Sequence, residues 1–104
     1  MIARGWHGWT SRENAAAYEA LLKSEILPAI AARGIPGLTG AHLMKREVPG
    51  EVEFVTILWF ESIDAVREFA GEDYEAAVVP EEARRLLERF DARSAHYETV
   101  IEPG

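Results

Sequence analysis

The sequence predicts an α+β fold in the order β, α, β, β, α, β, with four antiparallel strands in one sheet and helices on a single face. Three observations carry this. The run Val52-Glu53-Phe54-Val55-Thr56-Ile57-Leu58-Trp59-Phe60 is nearly continuous in apolar side chains and has the length of a strand. Pro49-Gly50 stands just before it, where a type II turn places these residues, so a hairpin joins it to the preceding strand. Stretches with apolar residues three and four apart lie on either side of that hairpin.

In chain order, Ile2 to Trp9 is short, aromatic and without helical periodicity, so it reads as the first strand. Gly5 and Gly8 mark a bulge or a close approach of another group. Thr10 is expected to cap the next helix, with Glu13 three residues on completing a capping box. Ala15, Tyr18, Leu22, Ile26 and Ile30 form that helix's apolar face. Pro28 lies inside it and cannot donate to the carbonyl of Ser24, which predicts a kink or break before the helix stops at Gly34.

Leu38 to Val48 reads as the second strand, with Gly40, His42, Met44 and Arg46 on one face and Ala41, Leu43, Lys45 and Glu47 on the other. In the third strand Phe54, Leu58 and Phe60 face one way and Val55, Ile57 and Trp59 the other. Ser62 suits a helix cap, and Val66, Phe69 and Ala70 give the buried stripe that follows, up to Gly71. Glu72 to Val79 reads as irregular or briefly helical. Pro80 opens a further helix in which Leu86, Leu87 and Phe90 are buried, and Ala95 to Ile101 forms the last strand.

This is a ferredoxin-like βαββαβ plan. Right-handed crossovers put both helical regions on one side of the sheet, yet the third strand is apolar on two. A second copy of the chain is therefore expected on the bare face, giving a dimeric α+β barrel.

The chain's 104 residues make one domain, 1–104. It carries 18 acidic and 11 basic residues, net charge −7, with the basic ones scattered or interleaved with acids. Phosphate binding needs a concentrated positive face, so no nucleic-acid partner is expected. Cysteine is absent, which excludes disulfides, thiolate catalysis and cysteine-held zinc and agrees with a cytoplasmic protein. No stretch has signal-peptide or membrane-spanning character, so no membrane partner is expected.

Over essentially its whole length the chain resembles the antibiotic biosynthesis monooxygenase superfamily of dimeric α+β barrels. The likeness rests on Val52 to Phe60, on Glu61-Ser62 with Ala65-Val66, on Ala95-His96-Tyr97-Glu98, and on Ala70-Gly71-Glu72-Asp73-Tyr74-Glu75 followed by Val78-Val79-Pro80. These last segments resemble a branch of small bacterial proteins. The resemblance implies a pocket between sheet and helices in each subunit. Among the family's oxidisers of aromatic polyketides it also implies chemistry without metal or flavin, so no cofactor is expected. Matched on Glu61-Ser62, the asparagine, tryptophan and tyrosine credited in those enzymes fall at Thr56, Phe60 and Val66, and none is kept. Trp59 is one position from the tryptophan column and faces the opposite side. The asparagine, tryptophan and histidine of the heme-degrading branch have no counterpart.

His7, His42 and His96 lie on three different strands, and imidazole titrates close enough to neutrality to serve as a general base. His42 and His96 are the preferred catalytic candidates. No pair has helical ligand spacing, so no metal site is expected. Arg4 could hold an anionic group of a substrate, Trp6, Trp9 and Trp59 could wall a flat ligand, Tyr97 adjoins His96, and Tyr74 lies where a lid would close. Against these stand plainer roles. Rings on strands more commonly pack a core or interface, histidines more commonly sit hydrogen-bonded, and an arginine more commonly pairs with an acid.

Two functions follow from different classes. One is a cofactor-independent monooxygenase acting on a small flat phenol, quinol or polyketide-like substrate. The other is a non-catalytic small-ligand-binding or stress-related barrel, and a purely structural dimer subunit is a third.

Overall fold

A computed structural model describes residues 1–101. Strand β1 (Ile2–Ser11) leads to a helical rod made of α1 (Ala15–Leu21), a π turn (Leu22–Ile26) and α2 (Leu27–Ala32). The hairpin of β2 (Leu38–Val48) and β3 (Glu51–Phe60) follows, then α3 (Ile63–Ala70), an irregular segment, α4 (Glu81–Leu86), β4 (Leu87–Phe90) and β5 (Ala95–Glu98). All pairings in the sheet are antiparallel. The spatial order is β2, β3, β1 and then an edge shared by β4 and β5.

That edge departs from expectation. The fourth strand comes in two pieces, β4 against Gly8 to Thr10 and β5 against Ile2 to Gly5, so the sheet has five strands. The helix expected to run through Phe90 ends at Leu86, because Leu87 to Phe90 finds ladder partners on β1. The connection between the pieces is tied to β1 by Asp91, whose carboxylate accepts from the His7 amide at 3.1 Å and meets His7 Nδ1 at 2.8 Å. Trp6 Nε1 donates to the Asp91 carbonyl at 2.7 Å. Regular pairing of the last strand ends at Glu98, three residues short of Ile101.

Local chemistry accounts for the helix boundaries. Thr10 does not cap a helix: β1 continues to Ser11 opposite Glu51, and Ser11 Oγ accepts from the Asn14 amide instead. Thr10 is fully buried, and its hydroxyl has no partner among the described residues. Pro28 leaves the rod unbroken. The π turn directly before it, in which the Leu27 amide bonds the Leu22 carbonyl five residues back, absorbs the missing donor. Ser62 does cap α3, its hydroxyl accepting from the Ala65 amide at 3.2 Å, and Gly71 closes that helix at φ +91°.

The helices cover one face of the sheet and form two apolar clusters with it. Tyr18, Leu22, Val52, Phe54 and Ala83 make one; Leu58, Phe60, Ala65, Val66 and Phe69 make the other. On β3 the side chain between Phe54 and Leu58 on this face is Thr56, too small to join them. The opposite face has no helix over it among the described residues. It carries His7 and Trp9 of β1, His42 and Met44 of β2, Val55, Ile57 and Trp59 of β3, and Tyr97 of β5, as the register requires. Met44 is 49% and Tyr97 62% exposed, so this apolar face is bare in a single chain.

Candidate functional site

A cavity of about 70 Å³ opens where the two core clusters fail to meet, beside Thr56. Arg4, Trp6, Thr56 and Leu58 supply its floor from the sheet. These four are register partners on adjacent strands, Arg4 opposite Leu58 and Trp6 opposite Thr56, so strand pairing alone brings them together. Tyr18, Leu22, Ile26, Leu27 and Ile30 of the helical rod form one wall. Phe69, the irregular segment's Val78 and Val79, and Ser94 complete it. Gly8 gives the Trp6 ring its room, since a Cβ there would stand 3.1 Å from Trp6 Cζ3 and 2.9 Å from Leu87 Cδ2.

Arg4 is the unusual member. It is 4% exposed, lies over the Phe69 ring at 5.4 Å, and makes no ion pair among the described residues. Its guanidinium donates to the Tyr74 carbonyl, to the Ala76 carbonyl at 3.2 Å and to His96 Nε2 at 3.0 Å. Burial lowers its pKa from the usual arginine value. Because arginine can only donate, His96 must accept at Nε2 and carry its proton on Nδ1, which is buried without a partner among the described residues. Burial, and then the charge of Arg4, lower the His96 pKa and favour neutral imidazole. Tyr18 is 1% exposed, packs edge-on against Phe54, and has its pKa pushed up to about 12 by burial, so its phenol stays protonated.

The segment from Glu72 to Val79 borders the cavity through Val78 and Val79, and it is fastened. Arg4 holds Tyr74 and Ala76, Ser94 N donates to the Glu75 carbonyl at 2.6 Å, and Ala77 N donates to the Ala92 carbonyl at 3.0 Å. Arg93 pairs with Asp73 at 2.7 Å and Glu75 at 3.3 Å. Tyr74 packs edge-on against His96 at 5.2 Å and does not line the cavity.

The residues singled out from sequence divide between the two faces. Arg4 and Trp6 line the cavity, and His96 adjoins it through Arg4. His42, Trp59 and Tyr97 are on the bare face, where Trp59 Nε1 donates to His42 Nδ1 at 2.8 Å. His42 and His96 are therefore on opposite sides of the sheet, and His7, paired with Asp91 on the bare face, joins neither. Sequence reasoning passed over Tyr18, Phe69 and Ser94 as site residues. Tyr18 and Phe69 sit in apolar stripes that look like ordinary core, and a lone serine on a loop gives no signal.

No family model matches the sequence, and a search of curated proteins finds no match. Solved structures do match in fold over nearly the whole chain. Rv0793 from Mycobacterium tuberculosis superimposes with a TM-score of 0.64 at 20% identity, covering 99% of this chain and 98% of its own. A proposed antibiotic biosynthesis monooxygenase from Bacillus cereus gives 0.65 at 14% identity, covering 99% and 96%. MhuD, as an arginine-to-serine variant with two manganese protoporphyrin IX molecules bound per active site, gives 0.61 at 23% identity, covering 100% and 99%. The chain shares the ferredoxin-like α+β fold of these three proteins.

Proposed function

We propose that this chain is one protomer of a dimeric α+β barrel that binds a small flat aromatic between sheet and helices and oxidises it directly with dioxygen. The observation that carries the reading is the cavity itself: an apolar chamber walled by Trp6, Tyr18 and Phe69 around one buried cation, Arg4. The monooxygenase named among its structural neighbours supports the reaction class, and MhuD's bound porphyrin supports a flat ligand. At about 70 Å³ the cavity is small beside ligand sites of roughly 300–1,000 Å³, so the segment over it must shift to admit a ring system.

For a phenol going to a quinone, the ring C–H carbon gains one oxygen atom. The second oxygen leaves as water with the two hydrogens the substrate loses, and the four electrons of each half balance. The step begins from the phenolate, which Arg4 stabilises. Among the described residues lining the cavity no side chain is a neutral-pH base, so the proton passes to solvent as the substrate enters. Oxygen uptake with a panel of quinols and anthrones tests this. Uptake should fall at least tenfold in Trp6→Ala and hold in His42→Ala.

The missing cavity base also favours a second reading, a barrel that binds such a ligand without reacting. Binding with no oxygen uptake would select it.

A further inference from the structure

Resting on the reading that the cavity takes a flat aromatic, we infer that its occupant is an anion, a ring bearing a phenolate or carboxylate oxygen that docks on Arg4.

The inference starts from a charge imbalance. A buried guanidinium without a counter-ion is costly, and folded proteins usually place a carboxylate beside it. This chain has 18 acidic residues and a net charge of −7, yet Arg4 meets two carbonyls, a neutral imidazole and a phenyl ring. Three of its five N–H donors are engaged among the described residues. Among the described residues no aspartate or glutamate lines the cavity, whose polar members besides Arg4 are Thr56, Ser94, Tyr18 and the Trp6 indole, and the indole is already committed to Asp91. The Tyr18 phenol stays protonated and its hydroxyl makes no hydrogen bond among the described residues, so it is a spare donor. A chamber with a cation and spare donors but no carboxylate complements a ring-borne oxyanion. His96 also fits this arrangement: held neutral with its lone pair toward Arg4, it orients the guanidinium without cancelling its charge.

The test uses the full chain and single-ring probes, with binding followed by calorimetry and by shifts of the Trp6 indole N–H resonance. Benzoate is expected to bind roughly tenfold or more tighter than isosteric benzamide. Bound 4-nitrophenol, whose ionised form is yellow, is expected to ionise about one pH unit lower than in free solution. Preference for benzoate alone identifies a carboxylate occupant, and the nitrophenol shift alone a phenolate; either supports the inference. Arg4→Gln should abolish both effects, and Arg4→Lys should retain part of them. Because Arg4 also fastens the segment over the cavity, the comparisons made on the unsubstituted protein decide the matter should Arg4→Gln fail to fold. Benzamide binding as tightly as benzoate, with no nitrophenol shift, overturns the anion while leaving the aromatic cavity standing. No binding by any probe overturns both.

Discussion

At the residue scale, Arg4 shows how a side chain acquires a role through register. Its position opposite Leu58 on the helix-facing side commits it to the interior, where no acid pairs with it among the described residues. The sequence singled out Arg4 and Trp6, because a charge and a large ring on a short strand are conspicuous. Which face they share could not be read without the register. The same limit explains His42 and His96, whose parity along their strands is plain while the pairing that sends them to opposite faces is not. His96 also yields a pH prediction. Its folded pKa lies below the ordinary 6.5, so between the two values the unfolded chain binds more protons than the folded one. Stability from this group is complete above about pH 6.5 and is lost as pH falls toward the folded value. Denaturant melts between pH 7.5 and pH 5 should show a smaller acid loss in His96→Gln than in the unsubstituted protein. At Gly8, alanine would press on Trp6 and Leu87, and chemical denaturation should record a loss of about 1–3 kcal/mol with a changed tryptophan spectrum.

At the element scale, the legible parts were those whose local signals agree. The β2–β3 hairpin, the face parity of both strands and the Ser62 cap each follow from a few neighbouring residues. Ser62→Ala should cost about 1 kcal/mol in a thermal or denaturant melt, the usual value of a lost N-cap. Gly71 holds φ +91° and ψ −171°, a region essentially restricted to glycine, so Gly71→Ala should cost about 1–3 kcal/mol. What local signals did not reveal were outcomes of competition between distant segments. Leu87 to Phe90 has helical spacing with what precedes it, but β1 offers ladder bonds that the helix cannot match. Pro28 was expected to interrupt the rod, whereas a π turn re-registers it at the cost of one irregular turn. The cavity is also a contest between elements: it exists because Thr56 interrupts an otherwise large apolar row on β3 at the point where two helical packings diverge.

For the whole molecule, the decisive feature is a sheet with one face packed and the other bare. Trp9, Met44, Val55, Ile57, Trp59 and Tyr97 form an apolar surface that no helix among the described residues covers. Burial of such a surface is the main drive for association, and a second copy offers the same face. The third strand's two-sided apolarity made the uncovered face visible in the sequence. Trp59→Glu, which places a charge at that face and breaks the bond to His42, should shift the protein toward monomer without unfolding the packed side. The direct test is sedimentation equilibrium of the purified protein at micromolar concentration. A species of twice the 11.6-kDa protomer is predicted, and a stable 11.6-kDa species with the sheet face open to solvent would contradict the account.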